Sequence, residues 1–178
     1  MSLSDIAAAQ QRVASVLRQR PAFGVHADMP ALVRWEGELR ARAVHDNGTE
    51  VVTDMPAEIG GQAAGVTPGW LLRAALASCA VTRIAMLAAA EGLVLQTLEA
   101  RATSRSDARG LLGIAESDGR AVPAGPDDVQ QHVRNGAPGI DAERLRALVL
   151  ASAPLSPVTC ALQQPLPVAL HVEVGAQG

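Results

Sequence analysis

The chain has 178 residues, of which 48% are hydrophobic and 19% charged, with a net charge of -3. That composition suits one folded domain and excludes a basic surface for nucleic acid or an acidic membrane. All 15 cationic residues are arginine, which excludes Schiff-base, pyridoxal-phosphate and P-loop lysine chemistry. With Phe23, Trp35 and Trp70 as its only aromatics, the core depends on Ala, Leu and Val, and extra burial between subunits would strengthen it.

Residues 3–19 read as a helix capped by Ser4, with Ile6, Val13, Val16 and Leu17 near one face. Pro21 stops it. Residues 1–30 are taken as an N-terminal helix and linker, and residues 31–178 as one domain. The first residues lack the pattern of a secretory signal, and two cysteines are too few for a disulfide scaffold; a reduced, cytoplasmic protein is expected. Residues 31–45 alternate as a strand, "HDNG" is a hairpin turn at Asn47-Gly48, and "TEVVTDM" returns as a second strand. "GGQAAGVTP" is a glycine-rich joint; its GxGxxG is incomplete and no βαβ unit surrounds it.

A long helix follows from Pro68 to Glu91, with Thr67 as cap, Pro68 at its first position and Gly92 at its end. Apolar residues lie on almost every side, which predicts a helix surrounded by protein. Arg73 and Arg83 interrupt it and argue against a membrane span. "LVLQTLEARATSRSD" alternates as a half-exposed strand, and "VQQHVRN" is another short one. A second helix starts at Asp141 with Leu145, Leu148 and Val149 inward. "SPVTCALQQ" is a helical turn capped by Ser156, and "PVALHVEV" is a closing strand. The order is α+β with antiparallel pairing.

Chemistry centres on Cys79 within "LLRAALASCAVTRIAML". One reading keeps it as a small packing residue. The other makes it reactive: Arg83, four residues on, sits one turn away on the same face and places a cation that favours thiolate over thiol. Arg83 itself needs an anionic or hydrogen-bonding partner, either that thiolate or a carboxylate from another strand. Cys160 reads as a packing residue or as a resolving thiol for an oxidised Cys79. His26, His45, His132 and His171 show no ligand spacing, so no metal is expected, and no cofactor motif is present.

"DMPAEIGGQAAGVTPGWLLRAALASCAVTRIAMLAAAEGL", with the alternating strand after it and the late "SPVTCAL…PVALHVEV", resembles the OsmC/Ohr superfamily of osmotically inducible and organic hydroperoxide resistance proteins over about residues 31–174. The resemblance implies an antiparallel sheet, a long buried central helix and an intertwined homodimer with thiol sites near the interface. It implies a thiol peroxidase cycle in which Cys79 attacks a hydroperoxide and a second cysteine closes a disulfide. Two positions depart from the pattern. The glutamate that follows the helix-start proline is replaced by Gly69 and Trp70, and the second cysteine before a proline is replaced by Ser156 before Pro157. The family's early-strand arginine corresponds to Arg34, Arg40 or Arg42.

The expectation is an organic hydroperoxide reductase using Cys79, Arg83 and Cys160 or an external thiol reductant. Trp70 either lines an apolar pocket for the substrate or plugs the core. The alternative is a non-catalytic dimer that binds a small apolar ligand or a protein partner.

Overall fold

The computed structural model describes residues 2–164 and 166–175. Ser2, not Ser4, caps α1 (Leu3–Gln19): its hydroxyl accepts the Asp5 N–H while the Asp5 carboxylate accepts the Ser2 N–H. This reciprocal box satisfies two donors that a helix start otherwise leaves free. The stretch expected as one strand is a hairpin of β1 (Leu32–Gly37) and β2 (Arg40–Val44). Gly37 at φ 109 turns the chain there, a conformation that side chains on Cβ oppose. Beyond the expected turn, β3 (Glu50–Thr53) pairs antiparallel with β2 and completes a three-stranded sheet.

The glycine-rich joint is clasped by one carboxylate. Buried Asp54 accepts the backbone N–H groups of Met55, Gln62 and Ala64. These donors, Ala64 foremost, hold its carboxyl below the usual carboxylate range. The loop then delivers Thr67, whose hydroxyl accepts the Trp70 N–H at 3.1 Å and starts α2 (Pro68–Ala90).

Leu76, Ala80, Ile84 and Ala88 recur every four residues on α2 and are buried. This stripe faces the antiparallel pair β4 (Thr97–Arg105) and β5 (Asp127–Gly136), registered at Ala100↔Val133, and α4 (Ala142–Ser152). Ile84, Ala88 and Leu148 form the core, with Leu98, Val133 and Val149 around them. The short α3 (Ala108–Leu111) lies in the loop between β4 and β5, and α5 (Pro157–Gln163) packs on α2. α1 also docks on α2 of its own chain, where the Gln10 amide donates to the Met86 carbonyl at 3.2 Å.

Two elements are left partly uncovered within the single chain. Beside its buried stripe, α2 keeps Ala75, Ser78, Thr82, Ala85 and Met86 exposed. Residues 166–175 form no strand, although Val168, Leu170, Val172 and Val174 alternate; they are 91%, 86%, 74% and 90% exposed. A strand requires a neighbouring ladder, and this segment pairs with neither sheet. The chain accordingly exposes 13183 Å², against about 8200 Å² for a folded monomer of this mass. By length and composition α2 is also apolar enough to cross a membrane; here it is the central helix, packed by α1, β4, α4 and α5.

Candidate functional site

Cys79 lies at the middle of α2, half-buried and free. What meets its sulfur comes from the far end of the chain. After α4, Ala153–Leu155 make a tight turn, and Pro157 forces the preceding Ser156 into an extended conformation with φ -90 and ψ 110. That bend puts Ser156, 1% exposed, beneath α2. Its hydroxyl donates to Cys79 Sγ at 3.2 Å, and the Thr159 hydroxyl donates to Ser156 Oγ at 2.9 Å. Ser156 was expected to cap the last helix with its side chain; it holds the cap position, but the hydroxyl serves the sulfur instead.

Cys160 is placed differently. Its S–H donates to the Pro154 carbonyl at 3.3 Å, and its N–H to the Ser156 carbonyl at 2.9 Å. Ser156, not Cys160, holds the hydrogen bond to Cys79.

Away from Ser156, Cys79 opens on a cavity of about 410 Å³ walled by Thr82, Arg83, Met86, Pro157 and Val158. The wall is almost wholly apolar, with Arg83 its one charged residue. Among the described residues Arg83 makes no ion pair and no hydrogen bond, and no carboxylate meets it there. The early-strand arginines line no part of this cavity. Arg40 pairs with Glu36 at 2.9 Å, and Arg42 with Glu36 and with Glu50. The Arg42 bond holds the Glu36 carboxyl below its usual range, and together these residues bind β1, β2 and β3 across one face. Arg34 is exposed and unpaired among the described residues.

At the start of α2 a second cavity of about 420 Å³ is lined by Met55, Ile59, Leu72, Arg73 and Leu111. A Cβ on Gly69 would come within 3.7 Å of the Arg73 guanidinium, the place where a side-chain carboxylate would find a cation. With glycine there, Arg73 donates to Ser104 Oγ at 3.3 Å. Trp70 neither lines this cavity nor plugs the core; it is 48% exposed. Sequence reasoning missed Thr159 and Arg73. The "SPVT" run held a signal, since Ser and Thr three apart at a helix start share one face. Nothing in sequence marked Ser156 as the neighbour of Cys79, 77 positions away. Among the described residues no three His, Cys, Asp or Glu side chains gather as metal ligands.

Fold and site together define an α+β protein whose central helix presents a hydroxyl-bonded cysteine to an apolar cleft. A model of the OsmC-like protein family matches residues 60–171. The chain belongs to the OsmC-like family. Among solved structures it resembles an OsmC-like protein of Mycoplasma pneumoniae, with TM-score 0.63 and 16% identity over 78% of this chain and 89% of that one. The organic hydroperoxide resistance protein OsmC of Legionella pneumophila gives TM-score 0.56 and 17% identity over 78% and 92%. A candidate organic hydroperoxide resistance protein of Vibrio cholerae O1 biovar eltor, with captopril in one of its active sites, gives 0.52 and 16% over 78% and 88%. At such identities the likeness is one of fold. Comparison with the curated proteins gives no match.

Proposed function

We propose that this protein is a thiol-dependent reductase of organic hydroperoxides, with Cys79 as the attacking sulfur. The observation that carries the reading is the two-sided setting of that sulfur. A buried hydroxyl donates to it from one side, and an apolar cavity large enough for a small ligand opens on the other. The thiolate attacks the terminal peroxide oxygen; an S–O bond forms, the O–O bond breaks, and the alkoxide leaves and takes a proton as the alcohol. Cys79 is left as a sulfenic acid. Arg83, on the same cavity wall, supplies a cation for the departing oxyanion. Cys160 or an external thiol then returns Cys79 to the reduced state. Cys79→Ser abolishes consumption of cumene or tert-butyl hydroperoxide with a dithiol reductant; activity surviving that change refutes the reading.

The working form is an intertwined homodimer in the cytoplasm. About 5000 Å² of surface beyond that of a folded monomer supports it, several times the roughly 800 Å² per partner of a standard interface. So does the unpaired apolar alternation at 168–174.

A second reading is a non-catalytic dimer that binds a small apolar ligand. The absence of a carboxylate at Gly69, beside Arg73 and the second cavity, favours it. Dimedone trapping separates the two: a sulfenic adduct on Cys79 after a low dose of peroxide supports the reductase, and an unreactive Cys79 in folded protein supports the binder.

A further inference from the structure

Resting on the reductase reading, we propose that Ser156 and Thr159 are positioning residues that hold Cys79 as a nucleophile. We further propose that its oxidised form is cleared by a low-molecular-weight thiol from solution rather than by Cys160.

The hydroxyls run in one direction. Thr159 donates to Ser156 Oγ, which leaves the single Ser156 hydroxyl proton for Cys79 Sγ. At 1% exposure Ser156 has no competing water, so its donor is fixed on the sulfur. The same placement decides who reduces the sulfenic acid. On the side of Cys79 that faces α5, the neighbouring atom is an oxygen, which cannot form a disulfide. Cys160 is turned to the Pro154 carbonyl. The remaining approach is the cavity between Arg83, Met86 and Val158, about 410 Å³, which admits a small molecule. The chemistry balances with two external thiols. The first, as thiolate, attacks the sulfenic sulfur; an S–S bond forms, the S–O bond breaks and hydroxide leaves as water after taking a proton. The second attacks the outer sulfur of this mixed disulfide, forms the external disulfide and releases the Cys79 thiolate.

Two measurements on the full-length protein test this. The first is the pH profile of Cys79 alkylation by iodoacetamide, followed by mass spectrometry. Ser156→Ala is expected to slow alkylation at neutral pH by about tenfold and displace the profile toward alkaline pH, with Thr159→Val giving a smaller displacement in the same direction. Profiles unchanged in both variants overturn the positioning role. The second treats the wild type with one equivalent of cumene hydroperoxide and 2-mercaptoethanol. The expected product is a mixed disulfide on Cys79 with Cys160 still alkylatable; a Cys79–Cys160 disulfide overturns the external route. Ser156→Cys places a sulfur at the hydroxyl's position and should instead trap an internal disulfide with Cys79 without added thiol. Failure of the reductase reading shows separately, as no sulfenic acid in the wild type, while the alkylation profiles still report on Ser156.

Discussion

Replacing Val168 and Val172 together by aspartate separates a tail in water from a strand buried between subunits. In the single chain these side chains are 91% and 74% exposed, and exposed substitutions stay within roughly 0.5 kcal/mol of neutral. Both valines, however, share one face of an alternating segment with Leu170 and Val174. If a second copy covers that face, each valine contributes about 1.5–3 kcal/mol, so the pair contributes about 3–6 kcal/mol before any carboxylate is desolvated. Association then weakens by about a hundredfold or more. Sedimentation velocity across a dilution series, paired with urea unfolding of the same samples, reads both quantities. The wild type should run at twice 18.4 kDa, with an unfolding midpoint that rises with concentration. The double variant should dissociate at concentrations where the wild type does not. A wild type that runs as a monomer, or a variant with unchanged mass and midpoint, refutes the argument from surface area.

Three further outcomes follow from the fold. Leu148→Ala removes a fully buried side chain packed against Ile84 and Ala88 and should cost about 2–5 kcal/mol in chemical unfolding; a loss under about 1 kcal/mol would place Leu148 outside the core. Gly61→Ala puts a Cβ at 1.8 Å from the Met55 carbonyl oxygen, a backbone atom that cannot swing aside. A loss of about 3 kcal/mol or failure to fold is expected, and a melting temperature equal to wild type would contradict the clasped loop. Asp54 sets an acid limb. Its carboxyl is lowered from the ordinary 3.8 by backbone donors, Ala64 first, so its stabilising effect is complete above that value and is lost as pH falls through the lowered one. Asp54→Asn cannot titrate; wild-type stability should therefore fall more steeply than the variant's below pH 3.8, and parallel curves would exclude Asp54.

Local rules read from the chain itself identified the elements that carry their own punctuation. Thr67, Pro68 and Gly92 bounded α2 because capping and the proline ring act within a turn, and Asp141 started α4 for the same reason. The "DMP…TPGW…SCAV" run identified the family, and Cys79 stood out as the thiol to examine. Where one residue's φ decides the path, the reading slipped: alternation ran unbroken from 31 to 45, yet Gly37 folds it into a hairpin. What pairs with what was beyond local rules altogether. Ser156 reaches Cys79 because the bend at Pro154 and Pro157 brings α5 under α2, a contact fixed by packing across 77 positions. Arg40 and Arg42 were candidates for the site, and the sheet register sets both against Glu36 within the single chain. The alternation at 168–174 was legible as a strand, but an alternating pattern states only which face is apolar; a ladder partner has to come from the tertiary or quaternary structure, and among the described residues there is none.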